Sequence, residues 1–169
     1  MTVINYGNDI YEVENFLTED EVECLLSSTN GSFFESHPGN IIKDLSTESL
    51  TVVPGIYSKI MSYFENAHAH TPITNIRRLQ DNEFMSSHAD GGDPNSKQKI
   101  IFGLAMYLND EFTGGELNYI GLDTTIKPKK YSLVIHDAEL QHEVLPVTGG
   151  VRYSITAFIF GDDTTRFKY

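Results

Sequence analysis

The sequence predicts a mainly β fold with a few supporting helices, and three stretches of chain carry that prediction. Between Val151 and Phe160 the odd positions Val151, Tyr153, Ile155, Ala157 and Ile159 are apolar or small, while the even positions run Arg152, Ser154, Thr156, Phe158, Phe160. A period of two is the strand signature, and apolar side chains on both faces predict a strand covered on both sides. Lys99 to Leu108 repeats the pattern, with Ile100, Phe102, Leu104, Met106 and Leu108 on one face and Ile101, Gly103, Ala105 and Tyr107 on the other. The small residues at 103 and 105 leave space into which Tyr107 can put its hydroxyl. Helix signals lie before residue 70. Thr18 is the N-cap, Glu21 its capping-box partner, and Leu17 with Val22 the hydrophobic staple of a helix running to about Ser28 and stopping near Asn30-Gly31. Pro54 opens a second helix with Ile56, Ile60, Tyr63 and Phe64 on one stripe.

A single domain over residues 1–169 is therefore expected, with helical support in 1–70 and a β core over about 73–161. If residues 73–79 form a strand, one of Arg77 and Arg78 points inward, to sense substrate charge or to pair with Asp81 or Glu83. Residues 31–47 look irregular and suit a rim. The loop 91–97, directly after Asp90, suits a lid at the mouth of a site. Gly149-Gly150 marks a turn into the last strand, and residues 161–169 a short tail.

Twelve basic against twenty-four acidic side chains give a formal charge of −12, which disfavours a nucleic-acid partner. The stretch Lys127 to Lys130 reads as a solvated turn, with recruitment of an acidic segment as the alternative. No apolar run approaches the roughly 20 residues that span a bilayer, and the N-terminus lacks a basic-then-apolar leader, so a soluble, cytoplasmic protein is expected; a monomer is assumed, since the oligomeric state is not readable from the sequence. The one cysteine, Cys24, permits no internal disulfide and suits a reducing compartment; it is expected as a small buried residue on the first helix.

Chemistry concentrates in His88-Ala89-Asp90, His142 and Arg152. Within a strand, residues i and i+2 share a side, so His88 and Asp90 can reach one metal. Two imidazoles and a carboxylate occupy one face of an octahedral ferrous ion and leave the opposite positions open. Arg152 offers a planar, permanent charge for a carboxylate co-substrate; a structural salt bridge with one of the many acids is the alternative. Other readings of the triad are a zinc hydrolase with a metal-bound water, which has no need of Arg152 and Tyr107 in one pocket, a cupin, which usually brings more histidines, and a metal-free binding module. His68 and His70 have ligand-like spacing but fall at the frayed end of the second helix.

Five ordered segments, His88-Ala-Asp90, Ala105-Met-Tyr107-Leu-Asn109, Gly114-Gly115-Glu116-Leu117, His142-Glu-Val-Leu-Pro-Val147 and Arg152-Tyr-Ser-Ile-Thr156, resemble the iron(II)- and 2-oxoglutarate-dependent dioxygenases, and within them the prolyl hydroxylase branch. The resemblance covers about residues 73–161 and implies a double-stranded β-helix, or jelly roll, with helices packed on one sheet and the site in its mouth. It implies iron on His88, Asp90 and His142, and the distal carboxylate of 2-oxoglutarate on Arg152, with Tyr107, Thr156 and, less directly, Ser154 contributing. Oxygen and 2-oxoglutarate would be consumed, succinate and carbon dioxide released and a substrate C–H hydroxylated, with ascorbate keeping the iron reduced. The retained Asp90 fits hydroxylation, since halogenating relatives replace it with a small residue. The implied substrate is a prolyl residue in a peptide or protein; a free amino acid or small metabolite is the alternative. Two departures bear on that choice. Pocket tyrosines of the branch are replaced here around Arg78-Leu79 and at Met85, and Arg78 becomes a candidate substrate contact.

Overall fold

A hairpin of β1 (Thr2–Gly7) and β2 (Ile10–Glu14) opens the chain, its turn holding Asn8 and Asp9 at positive φ, which short polar side chains tolerate best. The computed structural model describes residues 2–37, 39–91 and 99–169. Helix α1 (Glu19–Leu26) follows, capped as the sequence predicts: Thr18 Oγ1 accepts from the Glu21 N–H at 3.2 Å, and the Glu21 carboxylate accepts from the Thr18 N–H at 2.8 Å. Leu17 and Val22 are both buried beside that cap. A second hairpin, β3 (Phe34–His37) and β4 (Asn40–Asp44), precedes α2 (Val53–Ser62), which has Pro54 in its first turn and buries Ile56 and Ile60. Two short strands, β5 (Phe64–Glu65) and β6 (Ala69–His70), lead to β7 (Asn75–Gln80), β8 (Met85–His88) and β9 (Lys99–Tyr107). The remainder comprises β10 (Phe112–Gly114), β11 (Leu117–Tyr119), β12 (Thr124–Ile126), β13 (Leu133–Asp137), β14 (His142–Val144), β15 (Val147–Gly161) and β16 (Arg166–Phe167).

Antiparallel pairing arranges these strands in a large sheet, ordered β1-β2-β13-β9-β15-β7-β4-β3 with β10 and β6 also on β15, and a smaller sheet ordered β12-β11-β14-β8. This is the expected jelly roll. The alternation read along β9 and β15 sorts the core into two layers. Phe102, Leu104 and Met106 with Ile155, Ala157 and Ile159 pack against Val22 and Leu25 of α1 and Ile56 and Ile60 of α2. On the opposite side, between the sheets, Tyr107 joins Leu79, Met85, Leu117, Tyr119, Val134 and Val144. The two helices thus buttress the large sheet from outside, and the inter-sheet space is left for the site.

Four expectations are corrected. Residues 1–70 provide strands as well as helices, because β1 and β2 extend the large sheet at one edge and β3 and β4 at the other. The stretch 31–47, expected to be irregular, holds that second hairpin, in which Phe34 pairs with Ile42 and Glu35 with Ile41. Gly149-Gly150 is no turn. It lies inside β15, and a Cβ on Gly150, at φ +75°, would meet the Glu111 carbonyl at 2.6 Å, so the glycine lets β10 approach. The tail is docked, with Arg166 and Phe167 pairing with β5 and the Phe167 ring 4.5 Å from that of Tyr11. The loop proposed as a lid lies, beyond Gly91, outside the described residues. Cys24 is half-buried on α1, and Lys129 of the basic stretch is tied to Glu14 at 2.7 Å. Among the described residues no helix is long and apolar enough to cross a membrane.

Candidate active site

His88 closes β8 and His142 opens β14, and the register of the small sheet sets them directly opposite one another, with ring centroids 4.4 Å apart. Asp90 lies just beyond the end of β8 rather than within it, yet returns its carboxylate to the pair: Oδ1 is 3.6 Å from His88 Nε2 and Oδ2 is 3.9 Å from His142 Nε2. One ligand atom from each of the three residues lies within 4.8 Å of the others. Both imidazoles are oriented by the backbone. His88 Nδ1–H donates to the Ser86 carbonyl at 2.8 Å and His142 Nδ1–H to the Leu140 carbonyl at 2.9 Å, which fixes the tautomer and turns each Nε2 lone pair toward the carboxylate. Burial, and then the neighbouring His136, pull the His142 pKa down to about 4, so this ring is a neutral donor across the ordinary pH range.

A fourth residue, unforeseen in the sequence, completes the centre. Buried His136 donates from Nε2–H to Asp90 Oδ2 at 2.9 Å, while its Nδ1 accepts from the Tyr119 hydroxyl at 2.9 Å. Burial alone would raise the Asp90 carboxyl; the His136 hydrogen bond and the fields of His136, His142 and His88 outweigh it and hold the group below its ordinary range. Burial pushes the Tyr119 phenol well up, so it stays a donor. The chain Tyr119, His136, Asp90 thereby fixes one carboxylate oxygen and leaves the other free to ligate. The sequence does contain a signal. In β13 Leu133 and Ile135 pack toward the helices while Val134 faces the inter-sheet space, so His136 must share that space.

Gly103 is what gives this network room. A methyl group there would overlap Asp90 Oδ2 and His136 Nε2. Gly103→Ala is expected to leave the fold intact and weaken divalent-metal binding by about 10–100-fold, the usual cost of disturbing an outer partner of a ligand. Calorimetric titration with Mn(II) measures it, and an affinity equal to wild type would assign Gly103 to packing alone.

Deeper in the same cavity stands Arg152. It is 4% exposed, donates from Nη1 to Ser154 Oγ at 3.1 Å, and holds its guanidinium 5.0 Å from the centre of the Tyr107 ring. Gly115, at φ +69°, packs on its stem, where a Cβ would come within 2.9 Å of Cδ. No carboxylate among the described residues pairs with Arg152, so the structural salt bridge considered from sequence is not formed. Arg152 Nε and the Tyr107 hydroxyl are both buried without a partner. Burial lowers the arginine, with Tyr107 opposing, and raises the phenol, with Arg152 opposing. A buried cation without a counterion is costly, several kcal/mol on the order of an ion's effective desolvation, and the Tyr107 hydroxyl beside it offers a donor to the same anionic, hydrogen-bond-accepting group. Thr156 lines this cavity, as do Leu79 and Met85.

The inward-facing arginine is Arg77, not Arg78. In the register of β7 against β15, Arg77 sits opposite Ser154 and Arg78 opposite Tyr153. Arg78 borders the cavity but lays its guanidinium over Phe33, 5.0 Å from the ring centre, and pairs with Glu83 at 3.6 Å. Arg78, the candidate substrate contact read from the sequence, thus borders the cavity with its guanidinium engaged by Phe33 and Glu83, and Arg77 is the arginine turned inward. His68 and His70 are not brought together: the first lies 3.2 Å from Asp162 and the second stacks on Tyr57.

The donor set suits a ferrous ion beside a carboxylate-bearing oxoacid. Comparison with known proteins agrees. The sequence model of the 2OG-Fe(II) oxygenase superfamily matches residues 73–160. No curated protein sequence matches the chain. Among solved structures, the viral collagen prolyl hydroxylase of Paramecium bursaria Chlorella virus-1, in its 2OG complex, superposes with a TM-score of 0.75 at 19% identity, covering 92% of this chain and 98% of that one. A Pseudomonas putida prolyl-4-hydroxylase gives 0.69 at 17% identity, covering 92% and 94%. A Trichoplax adhaerens prolyl hydroxylase in complex with a hypoxia inducible factor peptide fragment gives 0.68 at 18%, covering 91% and 84%. At such identities these structures establish the shared fold, and with the family match over more than half of the sequence, the chain belongs to the 2OG-Fe(II) oxygenase superfamily and is a 2-oxoglutarate-dependent dioxygenase.

Proposed function

We propose that His88, Asp90 and His142 hold Fe(II), that Arg152 with Tyr107, Thr156 and Ser154 holds the distal carboxylate of 2-oxoglutarate, and that the enzyme hydroxylates a C–H bond of a prolyl residue in a peptide or protein, releasing succinate and carbon dioxide. The observation that carries the cofactor assignment is the buried, counterion-free Arg152 in one cavity with the His-Asp-His cluster. When bound, iron and 2-oxoglutarate supply the oxidising power with O2, and ascorbate serves as reductant. The chain's own work is placement. Backbone carbonyls of Ser86 and Leu140 hold both imidazoles in the ligating tautomer, His136 fixes Asp90, and Ser154 steadies the guanidinium. The apolar walls Leu79, Leu117 and Val144 keep water away from the reacting carbon.

Support for a prolyl substrate comes from the prolyl hydroxylases among the structural neighbours, one of which is complexed with a peptide. The second reading, a free amino acid or small metabolite, is favoured by Arg77, a charge in the pocket with no need of a neutral prolyl ring. The two separate in a screen of proline-containing peptides and free amino acids with Fe(II), 2-oxoglutarate and ascorbate, scored by succinate and by gain of one oxygen in the substrate mass. A prolyl peptide is expected to raise succinate above the uncoupled rate. Oxygen gain in free amino acids alone would overturn the peptide assignment, and no succinate at all would point to an inactive binding module.

A further inference from the structure

Arg77 has no task in the chemistry described so far. Its Nε is sequestered without a partner, and its Nη1 reaches only the Met85 sulfur at 3.5 Å, a weak acceptor. No acid among the described residues pairs with it. Two spaces meet at this side chain. One is the enclosed cavity shared with Arg152; the other is an open cleft of about 360 Å³ formed with Met85, Ser86, His88, Asp90 and Phe158, which Arg152 does not reach. Arg77 therefore stands between the centre and an opening to solvent.

The formal charges point the same way. A divalent iron and Arg152 on one side, with Asp90 and a dianionic oxoacid on the other, cancel. Arg77 is left over. An uncompensated cation in a half-buried place calls for a monoanion, and a planar guanidinium matches a carboxylate. Burial lowers Arg77 to about 10, partly offset by Asp90, so it remains charged at neutral pH.

From this juxtaposition we infer that Arg77 is a specificity-determining residue that binds a carboxylate of the substrate, so the preferred substrate is a carboxylate-bearing molecule, either a free amino acid or the C-terminal residue of a peptide, hydroxylated close to that carboxylate. This rests on the oxygenase reading of the site and narrows its substrate class. An internal prolyl residue of a long chain has no such group, whereas free proline or a C-terminal prolyl residue does.

The test uses acetate and acetamide as probes on the full chain carrying Zn(II) and saturating 2-oxoglutarate. The Arg77 Nε–H resonance, assigned by its loss in Arg77→Gln, is followed by NMR. A saturable shift with acetate and none with acetamide is expected. Silence toward acetate once 2-oxoglutarate is bound, together with a response before it is added, would overturn the inference by giving Arg77 to the co-substrate; an equal response to both probes, or none in any state, would overturn it as well. In turnover, the acids of matched pairs such as glycyl-proline and glycyl-prolinamide are expected to stimulate succinate formation about tenfold or more over the amides, and Arg77→Gln to abolish the difference. An unchanged acid-to-amide ratio in Arg77→Gln would sink the proposal. Calorimetry of 2-oxoglutarate on the Zn(II)-loaded wild type tests the underlying oxygenase reading separately, since its failure would leave the acetate response of the metal-free protein still readable.

Discussion

Alanine at any one of His88, Asp90 or His142 is expected to end substrate-dependent succinate formation and to weaken divalent-metal binding by more than the roughly 10–100-fold that follows loss of an outer partner. The three cannot substitute for one another. His88 and His142 are locked as a cross-strand pair, each with its Nδ1–H given to a backbone carbonyl, and Asp90 is the sole carboxylate in the cluster. Asp90→Ala carries a second penalty, because buried His136 then loses the acceptor for its Nε2–H, which costs about 1–3 kcal/mol. Its thermal midpoint should thus fall below that of His88→Ala, whose ring is the most exposed of the three. Anaerobic Fe(II) titration and thermal unfolding by circular dichroism measure the two effects. Any single variant that keeps wild-type metal affinity removes that residue from the ligand set.

Arg152→Met should behave in the opposite sense toward stability. Without an anion, the native side chain is a buried charge whose desolvation is unrepaid, so an apolar chain of similar reach is expected to raise the thermal midpoint of the metal-free protein. The same change should raise the 2-oxoglutarate requirement about 10–100-fold, the equivalent of about 1.5–3 kcal/mol for a charged hydrogen-bonded contact, and erase the stabilisation that 2-oxoglutarate gives the wild type. Arg152→Lys keeps the charge and loses the fork, and should fall between. Tyr107→Phe should shift the requirement in the same direction and by less. Metal affinity stays near wild type in all of these; a parallel loss of metal would mean that Arg152 supports the ligands rather than the co-substrate.

The residues that were legible in the sequence are those whose chemistry is local. The Thr18 and Glu21 cap, the alternation in β9 and β15, and the order of His88, Asp90, His142 and Arg152 need only spacing and parity to be seen. Arg77 and Arg78 show the limit. Two adjacent arginines on one strand must face opposite ways, but which faces the cavity is decided by the β7–β15 register, where Arg77 meets Ser154, and a register is a long-range property. Asp90 lies past the strand that was expected to hold it, and comes to its place through His136 on β13, a hydrogen bond spanning 46 residues. The hairpin β3–β4 was hidden because Ser, Asn and Gly in 31–47 have weak strand preference; pairing with β7 overrides that preference.

The two functional halves of the cavity stand on different sheets. Both histidines belong to the four-stranded sheet, whereas Arg152 and Ser154 are carried by β15 of the large one, and Arg77 by β7 at its side. Each half is held by its own backbone pairing, so substitutions on β7 can accumulate without disturbing the ligand pair across β8 and β14. A jelly roll divided in this way can change the side chains that β7 turns toward the cavity while its two histidines keep their cross-strand pairing.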